Sequence, residues 1–119
     1  MTLVTPPRTV VETRTFLANA KDVMTETERE EFIGEIAMNP EAGDVIPGTG
    51  GFRKVRVGIG GRGKRGGARV VYYFAPDDDV PVILIAAFAK NVRADPSQAE
   101  RNALRTLAPL LLAGFRKGG

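Results

Sequence analysis

Two segments of alternating side chains flank a loop of glycines and cations, and this arrangement predicts a β-hairpin. Residues 52–58 (FRKVRVG) alternate apolar and basic side chains, and residues 68–75 (ARVVYYFA) are rich in the β-branched and aromatic residues that strands favour. Residues 59–67 (IGGRGKRGG) form the loop between them. Because successive side chains of a strand point to opposite faces of a sheet, the first strand must have one apolar and one basic face.

Three elements are predicted before the hairpin. Residues 9–14 (TVVETR) are typical of a short strand, and residues 16–24 carry apolar side chains at nearly helical spacing. Thr25 and Glu28 form a T-x-x-E capping box. A capping box marks the start of a helix, so a second helix is predicted over residues 26–38.

The remaining elements complete an α+β domain. Residues 41–51 (EAGDVIPGTGG) are predicted to form a loop, and the apolar run at 80–89 a strand buried on both faces. Ser97 and Glu100 form another capping box, and Pro109 is expected to kink or end the helix that begins there. The order β-α-α-β-β-β-α predicts two N-terminal helices packed on an antiparallel β-meander, with a C-terminal helix.

Length and composition restrict the class of protein. One domain is predicted over residues 1–119, with disordered tails at 1–8 and 114–119. The chain has no cysteine and no histidine, which excludes disulfides, thiolate chemistry and the commonest general base. We expect no metal and no cofactor. No apolar segment has the length of a signal peptide or a membrane span, so we expect a cytoplasmic protein without membrane contact.

The positive charge of the chain is concentrated in one region. Between Val45 and Pro76 there are seven cations and no acid, whereas the other ten Lys and Arg residues face all fourteen Asp and Glu residues. A basic face on a rigid sheet suits a phosphate backbone. The alternative is a solvated hairpin whose cations discourage edge pairing. The seven residues are Arg53, Lys54, Arg56, Arg62, Lys64, Arg65 and Arg69.

Strand alternation brings part of this charge onto one face. If the hairpin valines at 55, 57 and 70 and Tyr72 pack against the helices, the opposite, open face carries Lys54, Arg56, Arg69 and Tyr73. Lys90 ends the third strand with the parity of Leu84 and Phe88, and we expect it to join this face. The alternatives are a solvated sheet face for the cations and core packing for Tyr73.

Such a face is suited to the chemistry of RNA cleavage. Arg and Lys bind phosphates and stabilise the charge of a pentacovalent phosphorane. Crowded cations also depress the pKa of a lysine or tyrosine among them, so that such a group can transfer protons without histidine. RNA supplies its own nucleophile, the 2′-hydroxyl group, and its exposed bases stack on aromatic side chains.

Four short motifs follow one another along the chain: P-G-T-G-G-F-R-K-V-R at 47–56, G-x-G-K-x-G-G-A-R-V-V-Y-Y at 61–73, F-A-K-N at 88–91 and D-x-S-x-x-E at 95–100. Their combined spacing resembles the RelE-like toxins of bacterial type II toxin–antitoxin modules. The HigB group is the branch that they look most like. The resemblance extends over about residues 16–112.

The resemblance implies an activity and a set of site residues. Members of this family are ribosome-dependent endoribonucleases that cut messenger RNA by attack of the 2′-hydroxyl group on the adjacent phosphate. Lys54 and Arg56 match the paired basic residues of the first meander strand, and Arg69 matches the arginine of the R-h-h-Y motif. Lys90 matches the cation at the end of the last strand. Some members use a C-terminal tyrosine, a role that here falls to Tyr73, Lys54 or Lys90.

The resemblance also implies partners. They are a HigA-like antitoxin with a helix-turn-helix DNA-binding domain, the 70S ribosome and messenger RNA. Contacts with RNA and the ribosome are predicted for Arg53, Arg62, Lys64 and Arg65, with an ion pair to the acidic second helix as the alternative for Arg53. Two other functions stay open: inhibition of DNA gyrase by a ParE-like toxin of the same fold, and non-catalytic RNA binding.

Overall fold

The structure, a computed structural model, describes residues 7–60, 67–76, 79–89 and 96–115. The strands within these residues form one mixed sheet in the order β1-β5-β4-β3-β2. Along the chain, the elements are β1 (Val10–Glu12), α1 (Arg14–Val23), α2 (Glu26–Met38), β2 (Asp44–Val45), β3 (Phe52–Val57), β4 (Ala68–Tyr73), β5 (Val82–Ala89) and α3 (Gln98–Phe115).

The predicted antiparallel meander is confirmed as β3, β4 and β5, and two short strands extend it. β1 lies parallel to β5 at one edge of the sheet, and β2 pairs with the start of β3 at the other. β2 falls within residues 41–51, which we expected to be loop throughout. A strand of two residues is too short to show alternation in the sequence, and only its pairing with β3 defines it.

Helices cover both faces of the sheet. α1 and α2 pack on the face that carries Val57, Val70 and Tyr72, with Val55 at its margin, as predicted. α3 packs its leucines against the opposite face, over Phe52 and neighbouring apolar side chains of β4 and β5. The face that we expected to be open is therefore covered in part, because the apolar stripe of α3 needs an apolar surface to pack against.

A β-bulge in β5 changes which side chains of that strand face α3. Val71 of β4 pairs with Ala86, and the next residue, Tyr72, pairs with Leu84, so that Ile85 is an extra residue in β5. Leu84 consequently packs on the side of α1 and α2, whereas Phe88 packs on the side of α3. The expectation that Leu84 and Phe88 lie on the same face of the sheet is wrong, because the bulge interrupts the alternation of side chains along β5.

α2 and α3 begin at the predicted caps. The Oγ1 atom of Thr25 accepts a hydrogen bond from the backbone N–H of Glu28 (3.1 Å), and the Glu28 carboxylate accepts one from the N–H of Thr25 (2.8 Å). Ser97 and Glu100 make the same pair of hydrogen bonds at the start of α3. α1 begins two residues before the predicted start, because Thr13 caps it.

The C-terminal helix does not end at Pro109, which lies inside α3. Proline removes one hydrogen bond from a helix interior. Leu107 and Leu111, on either side of the proline, pack against the same cluster on the sheet, and this packing offsets the loss. Neither α3 nor any other helix in the described part of the chain is long and apolar enough to cross a membrane.

Arg8, the last residue of the expected N-terminal tail, is anchored to the domain. The backbone N–H of Arg8 donates to the carbonyl oxygen of Ala37 (2.9 Å), and its guanidinium group donates to that of Val80 (3.0 Å). The same guanidinium group lies 5.0 Å from the ring centre of Phe74. Arg8 therefore belongs to the folded domain and not to a tail.

We expect Thr25→Ala to lower the free energy of unfolding by about 1 kcal/mol, because it removes an N-cap hydrogen bond of α2. The matched control is Thr27→Ala, which replaces an exposed threonine within the same helix and leaves the cap intact. Chemical denaturation of both variants checks the prediction. Equal stabilities of the two variants would show that the hydrogen bond accepted by the Thr25 hydroxyl group contributes nothing.

Candidate functional site

Three of the predicted site residues lie on one face of the hairpin strands. Lys54 and Arg56 are alternate residues of β3, and Arg69 of β4 is directly opposite Arg56 in the register. Phe52 and Val71 have the same parity and belong to the cluster under α3. The cations therefore continue the α3 face of the sheet, towards the end of β3 that leads into the hairpin loop.

These cations line a shallow cleft of about 380 Å³. Arg56 is exposed, Lys54 is half-buried, and Arg69 keeps only 8% of its surface exposed. A group bound in the cleft would thus meet one arginine at its floor and two cations at its side. The lining residues are Ala42, Asp44, Lys54, Val55, Arg56 and Arg69.

The two arginines form an electrostatically unfavourable pair. Side chains directly opposite each other on antiparallel strands have Cβ atoms about 5 Å apart, and like charges at this spacing destabilise a sheet. An anion placed between Arg56 and Arg69 would reduce this repulsion. Because guanidinium groups match the geometry of phosphate oxygens, the cleft is suited to a phosphate group.

Tyr73 does not lie on an open surface. Its side chain is 2% exposed and packs in the cluster under α3. Its ring makes an edge-on contact with Phe52, with the ring centres 5.1 Å apart. The expected open face thus divides into a cationic half, which is accessible, and an apolar half, which includes Tyr73 and is covered by α3.

Arg53 lies on the other face of the sheet from the cleft. Its guanidinium group donates to the carbonyl oxygens of Gly43 (2.9 Å) and Glu41 (3.4 Å), and it lies 5.9 Å from the ring centre of Phe74. Its observed partners are therefore backbone carbonyls rather than the acids of α2. These contacts connect β3 to the loop that precedes β2.

Tyr72 holds the same loop from the core. Its hydroxyl group donates to the carbonyl oxygen of Pro40 (2.6 Å) and accepts from the N–H of Gly43 (2.9 Å). A Cβ atom at Gly43 would lie 2.6 Å from the carbonyl oxygen of Lys54 and 2.8 Å from the Tyr72 hydroxyl, so only glycine fits there. The next residue, Asp44, is thereby placed opposite Lys54.

The turn between β2 and β3 is held by hydrogen bonds of Thr49. The buried hydroxyl group of Thr49 donates to the carbonyl oxygen of Ile46 (2.7 Å) and accepts from the N–H of Phe52 (3.3 Å). With Tyr72 at one end and Thr49 at the other, the register of β2 against β3 is defined on both sides. The sequence does not indicate Asp44 as a site residue, because nothing in residues 41–51 signals this pairing.

The other predicted site residues lie outside the described part of the chain. They are Lys90, Arg62, Lys64 and Arg65. Their roles stay predictions. Among the described residues, no three acidic side chains come together as the ligands of a metal ion would.

Known proteins share both the sequence pattern and the fold. Residues 9–117 match the family described as "RelE toxin of RelE / RelB toxin-antitoxin system". The chain belongs to the RelE toxin family. A structure of the E. coli toxin RelE, a double arginine mutant in the free state, is similar over 86% of this chain and 97% of that chain, with a TM-score of 0.52 and 18% sequence identity. The RelE-like α+β fold is thus confirmed, and the HigB-like branch stays a prediction.

We expect Tyr72→Phe to lower the stability of this RelE-family chain by about 1–3 kcal/mol at neutral pH, because it leaves the loop groups of Pro40 and Gly43 without a buried partner. The hydroxyl also sets a pH dependence. Burial raises the pKa of Tyr72 above its ordinary value of 10.0. The unfolded chain then loses this proton at a lower pH than the folded one, so that wild-type stability falls as the pH rises above about 10.

Denaturation curves from pH 7 to pH 11 check both effects of Tyr72→Phe. The difference in stability between wild type and variant should shrink above pH 10, because the variant lacks the ionisable group. A difference that stays constant across this range would contradict the role assigned to the hydroxyl group.

We expect Arg56→Gln to raise the free energy of unfolding by about 0.5 kcal/mol at low salt, because it removes a charge opposite Arg69. The matched control is Arg56→Lys, which keeps the charge and should stay near wild-type stability. The gain should diminish in about 1 M salt, where exposed charges are screened. An unchanged or lower stability of Arg56→Gln at low salt would mean that the two arginines do not repel each other.

Proposed function

We propose that this RelE-family toxin is a ribosome-dependent endoribonuclease that cuts messenger RNA without a metal ion. The observation that carries the proposal is the cleft in which Arg56 and Arg69 face each other beside Lys54. Three cations in one cleft form a strong site for a phosphate group. The family match supports the toxin function, and the cleft supports the choice of RNA as its target.

The proposed reaction uses the nucleophile that RNA itself provides. The 2′-hydroxyl group attacks the adjacent phosphorus, and the 5′-oxygen of the following nucleotide leaves, which gives a 2′,3′-cyclic phosphate and a 5′-hydroxyl group. Arg69, at the floor of the cleft, and Arg56, at its side, stabilise the added charge of the phosphorane. Lys54 and, by its sequence position, Lys90 bind the flanking phosphates. Tyr73 is assigned to packing, because only 2% of its surface is exposed.

Docking and regulation involve further partners. The cations of the hairpin loop, Arg62, Lys64 and Arg65, would bind ribosomal RNA through its phosphates, which makes binding dependent on salt. An antitoxin of the HigA type, with a helix-turn-helix domain, would neutralise the toxin, and an acidic segment would suit the cationic cleft. The reaction would take place in the cytoplasm, where translating ribosomes are found.

Primer extension on a message in a purified translation system tests the proposal. Wild-type protein should produce discrete cuts that require the ribosome. Arg69→Ala and Arg56→Gln should each reduce cleavage by about 10²- to 10³-fold, since each removes a donor to the phosphorane. Arg14→Ala, an exposed arginine of α1 on the opposite side of the sheet, is the control and should cleave like wild type.

The other outcomes point to the alternative functions. An intact message together with arrested growth would exclude the nuclease and favour a ParE-like inhibitor of DNA gyrase. An intact message with normal growth would favour a non-catalytic RNA-binding protein. Arg56→Gln is the variant that separates chemistry from folding, because its side chain is exposed.

A further inference from the structure

We propose that Asp44 is the general base of this cleavage and that its carboxylate accepts the proton of the attacking 2′-hydroxyl group. The inference rests on the proposed nuclease function and adds a residue to it. Asp44 is the one carboxylate among the residues that line the cleft in the described part of the chain. Neither its short strand nor its neighbours suggest a site in the sequence.

Strand pairing places Asp44 on the correct face. Asp44 is directly opposite Lys54 in the register of β2 and β3. Paired residues on antiparallel strands project to the same side of a sheet, with Cβ atoms about 5 Å apart. The Asp44 side chain, which is exposed, therefore stands beside Lys54, and Arg56 is the next side chain along β3 on that face.

Hydrogen bonds of the neighbouring residues fix the position of the Asp44 backbone. The residue before it is Gly43, whose N–H donates to the buried hydroxyl group of Tyr72. The turn after β2 is held by the buried hydroxyl group of Thr49. A carboxylate presented by such a fixed segment is held at a defined distance from a phosphate bound to the cations, as general-base catalysis requires.

The other candidate groups in the described part of the chain are poorly suited to accept this proton. The chain has no histidine, and Tyr73 is packed under α3. Lys54 would have to lose the positive charge with which it binds phosphate before it could act as a base. A carboxylate can accept a proton without giving up a positive charge that the cleft uses to bind phosphate.

The proposed step balances in protons and electrons. Asp44 takes the proton of the 2′-hydroxyl group while the 2′-oxygen forms a bond to phosphorus. The bond from phosphorus to the 5′-oxygen breaks, and the leaving oxygen keeps the electron pair and takes a proton from water in the open cleft. Asp44 then releases its proton to solvent. The products are a 2′,3′-cyclic phosphate and a 5′-hydroxyl group.

The test measures single-turnover cleavage and ribosome binding of Asp44→Asn. We expect cleavage to fall by about 10²-fold or more, because the amide cannot accept the proton. Ribosome affinity should be unchanged or higher, because the variant removes a negative charge from a cationic cleft. Asp44→Glu should restore part of the rate. The matched control is Asp22→Asn, an exposed aspartate of α1, which should cleave like wild type.

The pH dependence of the wild-type rate provides a second measurement that does not depend on a variant. A carboxylate base predicts a rate that is flat from about pH 6.5 to pH 8.5, whereas a lysine base predicts a rise of up to about tenfold per pH unit. Such a rise would overturn the proposal. Cleavage by Asp44→Asn at the wild-type rate would also overturn the proposal. So would a loss of ribosome binding by this variant that parallels its loss of cleavage.

Failure of this inference can be told apart from failure of the nuclease function. If wild-type protein cuts the message and Arg69→Ala does not, the nuclease function is supported, whatever the cleavage rate of Asp44→Asn. If wild-type protein leaves the message intact, the nuclease function itself fails, and the assignment of Asp44 fails with it.

Discussion

The pairing register between β3 and β4 fixes which side chains face the helices and which face the cleft. It places Arg56 opposite Arg69 and Val55 opposite Val70. Because side chains alternate along a strand, a slip of one residue would turn Lys54 and Arg56 towards α1 and α2, and would turn Val55 and Val57 away from them. All six residues of β4 are buried, so that such a slip would put charge into a packed core.

This register creates a site that works against the stability of the fold. Two arginines are paired across adjacent strands, and one of them is largely buried. The apolar clusters on the two faces of the sheet offset this cost, and α3 adds to them by covering the surface around Phe52 and Tyr73. Functional sites commonly carry such local destabilisation, because the bound ligand removes it.

The loop before β2 connects the core to the cleft. Tyr72 belongs to the core, yet its hydroxyl group binds the backbone of the loop that leads directly to Asp44. Arg53 reaches the same loop from the face opposite the cleft and hydrogen-bonds to its carbonyl groups. Substitutions of Tyr72 or Arg53 can therefore alter the geometry of the cleft, although neither residue lines it. The apparent loop of the sequence is thus one of the better-defined parts of the site.

Local structure and the separation of polar from apolar side chains follow from the amino-acid sequence alone. The capping boxes at Thr25 and Ser97 define helix starts through hydrogen bonds between near neighbours, and the alternation of β3 separates Lys54 and Arg56 from the valines. Motif spacing was sufficient to indicate the family, which the match over residues 9–117 confirms.

Which of these residues share a site depends on contacts in the folded domain. The bulge in β5 reverses the parity of Leu84, α3 covers Tyr73, and Arg53 is used to hold a loop. Pairing with β3 turns Asp44 from a loop residue into a side chain of the cleft. Each of these outcomes depends on contacts between segments that are distant along the chain, and the periodicity of one segment carries no information about such contacts.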